Sequence, residues 1–436
     1  MRRDIVHVGS GQLTYEIREI VAVAKELESY GVKITWENIG DPIEKGEQLP
    51  KWVIDIFSKL VTDSKTYAYV ETQGVLSTRQ FLANIVNARG GYQITPDDIF
   101  FFNGLGDAVA KIFGFLKREA RVIGPSPAYS THSSAEAAHS GYEHLTYELD
   151  PHNHWMPDLK DLENKVKYND SIAGILLINP DNPTGAVYPR HILEKMVDIA
   201  RRYRLFIICD EIYGNLVYNH NETAPLSVVI GEVPGLALRG ISKELPWPGA
   251  RCGWIEIFNQ DKYPMFRQYI KTIKHAKMLE VCSTSLPQYA IPLFMGDSRY
   301  QAHLEKRRKI FETRAEEAYG ILSKVEPIFV TKPQGAFYMP VLFKEGVLND
   351  RQSLPIENPA LKALIEEKVK GVQADKRFVY YLLASTGICV VPLTGFCCNR
   401  QGFRITVLET NDEKRRWIWE TISKSIVAYV GSDRNT

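Results

Sequence analysis

Two ionisable residues stand where short apolar runs end. Asp210 follows Phe206-Ile207-Ile208-Cys209, and Lys243 closes Gly240-Ile241-Ser242-Lys243. A carboxylate at a buried strand end is costly unless it is paired. A lysine in that position loses hydration, which lowers its pKa toward a nucleophilic amine. Arg251 comes eight residues after the lysine, in Gly249-Ala250-Arg251. Its planar fork suits a phosphate or a carboxylate.

Other apolar runs end in polar groups as well. Asn103-Gly104-Leu105-Gly106-Asp107 lets the backbone turn tightly into a helix whose free N–H groups favour a phosphate. The same glycine pair also suits an ordinary strand-to-helix turn. A dinucleotide site is disfavoured, because Val109 stands where a third glycine is needed. Pro125-Ser126-Pro127 lies where an acidic residue should follow. Pro127-Ala128-Tyr129 offers an aromatic that could stack on a flat ring or pack as a turn residue. In Asn179-Pro180-Asp181-Asn182-Pro183-Thr184-Gly185 the two prolines stiffen the turn that would present the Asn182 amide. Tyr213 follows Asp210 by three residues.

These groups fall at successive strand ends, and one cofactor uses them all. Pyridoxal phosphate has an aldehyde for a lysine, a ring nitrogen for an acid, a phenolate oxygen for Asn182 and Tyr213, a flat face, and a phosphate for Arg251.

The elements that must position these residues read as an α/β protein. Strands are predicted over 99–102, 121–124, 172–179, 205–209, 236–240 and 253–257. Helical patterns over 107–117 and 190–203 lie between some of them, which implies a mostly parallel sheet. Ligands on such sheets bind outside the strand carboxyl ends. A helix over 15–30 precedes this region. After a long charged helix over 298–322, strands over 328–332, 336–341 and 403–408 and helices over 359–370 and 411–430 suggest a smaller α+β domain. Residues 344–358 read as a surface loop. The expected division is an N-terminal segment, 1–48, joining the small domain; a large cofactor-binding domain, 49–319; and a small C-terminal domain, 320–436.

Composition narrows the function classes. Lys and Arg total 53 against 52 Asp and Glu, a balance that argues against a nucleic-acid or anionic-membrane binder. No apolar run is long enough to span a bilayer, and Met1-Arg2-Arg3-Asp4 leads into no signal core. The six cysteines form no C-x-x-C, so a reduced, cytoplasmic protein is expected. His152 and His154 have metal-like spacing without a partner cluster and read as a solvated loop, with no metal expected. Cys397 and Cys398 read as packing residues.

The motifs Asn179 to Gly185, Asp210-Glu211-Ile212-Tyr213, Ser242-Lys243 with Arg251, and Gly402-Phe403-Arg404-Ile405 occur together in this order. In them the sequence resembles the class I/II aminotransferases of PLP-dependent fold type I, the alanine/aspartate aminotransferase superfamily. The alanine branch is the nearest, with a similar Tyr15-Glu16-Ile17-Arg18 start. The resemblance runs from about Tyr15 to the C-terminus.

It implies that Lys243 forms the Schiff base and shuttles the proton, with Asp210 on the pyridinium nitrogen. Asn182 and Tyr213 would bond the phenolate oxygen, and Tyr129 would stack on the ring. The Gly104-Leu105-Gly106 turn, through the Leu105 and Gly106 amides, would hold the phosphate together with Arg251. Arg404 would grip the substrate α-carboxylate, and Gly40 would admit the substrate. Tyr69 would reach the phosphate of a neighbouring subunit, which implies a homodimer with shared sites. Gly240 departs from the Ser or Thr usual at that position; either Ser242 substitutes or the phosphate has one bond fewer. Tyr15 either packs in its helix or lies near the substrate.

The implied activity is ping-pong amino transfer between an L-amino acid, alanine or glutamate, and a 2-oxo acid. The alternatives are an aspartate or aromatic aminotransferase, or a C–S/Cβ lyase on the same scaffold. No arginine for a distal carboxylate can be named from sequence. A regulator that borrowed the fold would need an added DNA-binding domain, and the first ~40 residues are too few and too weakly basic for one.

Overall fold

The structure, a computed structural model, describes residues 3–13, 15–218 and 222–435. Its larger sheet has eight strands. In spatial order they are Ile99–Phe102, Gly253–Phe258, Gly235–Gly240, Phe206–Asp210, Ile172–Ile178, Arg121–Ser126, Thr146–Asp150 and Met156–Pro157. From Gly235–Gly240 to Thr146–Asp150 every pairing is parallel. Gly253–Phe258 is antiparallel to both neighbours, and the short edge strand Met156–Pro157 is antiparallel to its one neighbour.

The inner strands are continuous apolar runs because both faces are covered. Along Phe206–Asp210, Ile207 and Cys209 enter one core cluster while Ile208 enters another, as the two-residue strand period requires. Helices such as Leu105–Gly114, Ser130–Ser140 and Arg190–Tyr203 cover the sheet. The helix predicted over 107–117 begins earlier, at Leu105, because Gly104 (φ 83°) makes the turn into it, and it ends at Gly114.

Direction decides where the chemistry gathers. Ile99–Phe102, Arg121–Ser126, Ile172–Ile178, Phe206–Asp210 and Gly235–Gly240 all point the same way, so their carboxyl ends share one sheet edge. Residues 241–252 hold no crossover helix, and the chain returns antiparallel in Gly253–Phe258. That reversal brings Arg251, which precedes its strand, to the same edge as Lys243, which follows its own.

A second, four-stranded antiparallel sheet runs Ile328–Val330, Tyr338–Phe343, Gly402–Thr406, Val391–Pro392. Helices Arg299–Leu322, Ala374–Thr386 and Asp412–Gly431 contribute to the core around it. The strand predicted over 336–341 starts two residues later, since Ala336 has φ 57° and cannot begin a regular strand. Near the N-terminus, helix Glu16–Glu28 is followed by Thr35–Trp36, which pairs in parallel with Ile388–Cys389. Residues 344–358 form no helix or strand. Cys398 is buried, whereas Cys397 is exposed at a left-handed residue (φ 53°), so only Cys398 is a packing residue. Among the described residues no helix is long and apolar enough to cross a membrane.

Candidate active site

A cavity of about 370 Å³ opens at the shared strand edge. Tyr15, Gly40, Leu105, Gly106, Tyr129, Asn182, Asp210, Tyr213, Ser242, Lys243, Arg251 and Arg404 all line it. Two expected residues do not. Gly104 lies just behind the wall, and Tyr69 is 82% exposed outside it.

Lys243 Nζ donates to the Gly40 carbonyl oxygen at 2.6 Å and lies 5.5 Å from the Phe337 ring centre. Burial lowers the amine from 10.5 to about 8. The Arg404 and Arg307 cations push the same way, against the opposing pull of Asp41 and Asp210. Such an amine is unprotonated far more often than a surface lysine. Gly40 must be glycine, because a Cβ there would overlap the Tyr338 hydroxyl.

Asp210, 4% exposed, ends the strand Phe206–Asp210. Its Oδ2 lies 2.8 Å from His132 Nε2, and its Oδ1 accepts from the Ile212 backbone N–H at 3.1 Å. His132 is itself buried, and its Nδ1 has no partner among the described residues. The Tyr213 hydroxyl lies 3.0 Å from that of Tyr338, and burial raises its pKa well above the ordinary value.

Arg404 is 1% exposed on the strand Gly402–Thr406. It donates to Asn182 Oδ1 at 2.9 Å and to the Asn38 carbonyl oxygen, packed between the rings of Tyr338 (4.4 Å) and Phe396 (5.1 Å). Its Nε–H is buried without a partner among the described residues. The bond to Arg404 uses the Asn182 oxygen, which leaves the amide NH₂ as that side chain's donor. The turn behind it is fixed by side chains. Asn179 Oδ1 accepts from the Tyr188 N–H at 2.8 Å, and Asp181 accepts from the Thr184 N–H at 3.1 Å. Burial pushes the Asp181 carboxyl up to about 7.

At the other end, Leu105 and Gly106, the first residues of helix Leu105–Gly114, line the cavity together with Arg251. Arg251 donates to the Pro248 and Asn103 carbonyls at 3.1 and 3.5 Å. A Cβ on Gly104 would overlap its guanidinium. Gly240 sits opposite Gly253 in the ladder, where a Cβ would lie only 3.0 Å from the Cys252 carbonyl oxygen and 3.1 Å from Ile212 Cδ1. The missing hydroxyl is thus matched by crowding, and Ser242 is the nearby residue that lines the cavity.

These groups fit pyridoxal phosphate. Helix amides and an arginine would cradle its phosphate, and an amine of lowered pKa and a histidine-paired acid line the same cavity. Several lining residues carried no signal in the sequence. His132 is one helical turn past Tyr129, but its partner is 78 positions away. Tyr338 and Asn38 enter the cavity from remote segments, and Arg18 enters beside Tyr15 from a stretch legible only for its likeness to the alanine branch. Tyr15 OH reaches Tyr129 OH at 3.4 Å and Thr131 Oγ1 at 3.3 Å, which fixes a side chain whose role the sequence left open.

An α/β sheet covered on both faces, with this set at its edge, defines a PLP-dependent aminotransferase of fold type I. The chain belongs to the aminotransferase class I and II family, whose profile matches residues 36–421. It is 58% identical to an uncharacterized aminotransferase of Methanocaldococcus jannaschii over 426 residues, covering 98% of this chain and 99% of the relative. It is 29% identical to the glutamate-pyruvate aminotransferase AlaA of Escherichia coli K12 over 367 residues, 82% and 87% of the two chains. The solved alanine aminotransferase of Pyrococcus furiosus superposes with a TM-score of 0.83 at 26% identity, covering 98% of this chain and all of that one. The protein is therefore an enzyme that uses pyridoxal 5′-phosphate to move amino groups between amino acids and 2-oxo acids.

Proposed function

We propose that the enzyme exchanges amino groups between alanine and glutamate and their 2-oxo acids in a ping-pong cycle, as a homodimer. The observation that carries the substrate choice is the wall formed by Tyr15 and Tyr129. Their hydroxyls meet at 3.4 Å and close a cavity of about 370 Å³ that has to hold cofactor and substrate together. That volume is at the low end for ligand sites and favours a small side chain. Arg18 lines the same cavity, and its guanidinium has no ion pair among the described residues. It is the candidate partner for glutamate's distal carboxylate. The names of the Escherichia coli and Pyrococcus furiosus relatives support the same choice.

When bound, the cofactor supplies a ring that stabilises negative charge at the substrate Cα. Lys243 holds the cofactor and then takes the Cα proton on Nζ. Asp210, fixed by His132, holds the proton on the ring nitrogen. Asn182 and Tyr213 would donate to the ring oxygen, and Tyr129 would offer its face to the ring. The amides of Leu105 and Gly106 would hold the phosphate with Arg251, and Ser242 would supply the hydroxyl that Gly240 lacks. Arg404 grips the α-carboxylate with its fork pre-aimed by Asn182 and the Asn38 carbonyl. The cofactor would sit on the domain formed by residues 49–319, with residues 1–48 and 320–436 closing over it.

The dimer is supported by exposed apolar side chains: Tyr69 at 82%, Tyr67 at 71%, and Ile5, Val6 and Leu13 at 66–73% in the N-terminal arm. Tyr69 would then complete the partner's phosphate site.

Mixing the holoenzyme with single amino acids tests the reading. Alanine and glutamate should each convert the cofactor stoichiometrically to its amine form, then stop until an oxo acid is added. Continuous turnover of one amino acid without an acceptor would make the enzyme a lyase. Faster conversion by aspartate or tyrosine would overturn the substrate choice.

A further inference from the structure

The long helix Arg299–Leu322 presents Tyr300, Arg307 and Phe311 on one face, at spacings of seven and four residues. This face lies against the segment that carries the lysine. Tyr300 OH donates to Glu244 Oε2 at 2.9 Å. Arg307, 2% exposed, commits its whole fork. Nη1 donates to the backbone carbonyl oxygens of Lys243 and of Glu244, the latter at 2.8 Å. Nε and Nη2 donate to the two carboxylate oxygens of Glu47 at 2.5 and 2.9 Å.

Those two carbonyls lie past the end of Gly235–Gly240, so no strand ladder satisfies them. Glu47 belongs to the same short segment as Gly40, whose carbonyl oxygen accepts from Lys243 Nζ at 2.6 Å. Buried Lys45, in between, pairs with Glu37, and its carbonyl accepts from Thr410 Oγ1 at 2.8 Å. The lysine is therefore gripped at both ends by one strap: at its amine through Gly40, and at its backbone through Glu47 and Arg307.

We propose that Arg307, held by Glu47, is the positioning residue for Lys243: it fixes the backbone of the lysine and contributes a cation whose field on the amine Glu47 partly cancels. This rests on Lys243 being the lysine that carries the cofactor. The other charged groups acting on Nζ are Asp41 from the strap, Asp210 from the central strand and Arg404 from the small sheet. The Phe337 ring and the Gly40 carbonyl complete its surroundings. Changing residue 47 or 307 leaves the chemical identity and charge of each of these groups as it is. A lysine stem is long and flexible, so its aim depends on a fixed backbone.

The test compares Glu47→Gln, Arg307→Met and the double variant, each loaded with cofactor. The readout is the pH midpoint of the bound cofactor's visible absorbance without substrate. Both single changes break the same ion pair but leave opposite charge behind. Glu47→Gln leaves an uncancelled cation, which disfavours the proton and lowers the midpoint. Arg307→Met leaves an anion, which raises it. Shifts of roughly half a pH unit or more in opposite directions are expected, with the double variant near wild type. Arg307→Met should also lose at least about tenfold in kcat with KM changed by less than about threefold, and Arg307→Lys should not rescue it, since an ammonium lacks the fork.

Shifts in the same direction, or no shift, overturn the proposal while borohydride mapping still finds the cofactor on Lys243. Mapping to another lysine overturns the functional reading along with it. Should Arg307→Met fail to fold, the sign of the Glu47→Gln shift decides alone.

Discussion

Replacing Lys243 by methionine should make the cofactor-free protein more stable at neutral pH and less stable at high pH. Burial lowers the amine from 10.5 to about 8. A drop of that size corresponds to roughly 3 kcal/mol of penalty on the charged form. The side chain is partly open to the cavity, so solvent screening reduces this to about 2 kcal/mol. Methionine removes the penalty but also loses the bond to the Gly40 carbonyl, which contributes about 1 kcal/mol. The net gain at pH 7 is about 1 kcal/mol. The folded-state pKa lies below the unfolded one, so the penalty is complete below pH 8 and fades between 8 and 10.5. Above that only the lost bond remains, and the variant should be less stable by about 1 kcal/mol. Chemical unfolding of wild type and variant, compared at each pH, cancels the titration of all other groups. A variant less stable than wild type at pH 7, or a difference that does not change sign with rising pH, would refute the reasoning.

Gly104→Ala forces a side chain into a backbone conformation open only to glycine (φ 83°, ψ 162°) and against Arg251, at about 1–3 kcal/mol. Pyridoxal phosphate binding, followed by equilibrium dialysis, should weaken correspondingly. Arg18→Gln should lower kcat/KM for glutamate by about tenfold or more and for alanine by less than about threefold, in steady-state assays with each donor. Lys45→Met leaves the fully buried Glu37 with only the Thr406 hydroxyl at 3.0 Å. About 3–5 kcal/mol should be lost at pH 7. Burial raises the Glu37 pKa, so protonation at lower pH should shrink the deficit in thermal unfolding.

The central sheet was readable because its inner strands are unbroken apolar runs such as Ile172–Ile178. Thr146–Asp150 alternates in burial and Met156–Pro157 has two residues, so neither carries that signature. The reversal at Gly253–Phe258 was implicit in the absence of a crossover helix after Gly240. Residues at strand ends stood out because polar groups there break an apolar pattern. His132, Tyr338, Asn38 and Arg307 did not, because each acts through a partner in a distant segment and breaks no local pattern. Arg18 sits exposed on an amphipathic helix, where an arginine is ordinary. Tyr69 was named only through resemblance: it is 82% exposed and lines no part of the cavity that a single chain forms.

The central claim is that one lysine, at the strand edge opposite a histidine-paired acid, carries the cofactor. Borohydride reduction of the holoenzyme followed by peptide mass mapping tests it most directly. A single pyridoxyl adduct on the peptide containing Lys243 is expected; an adduct on any other lysine, or none, would contradict it.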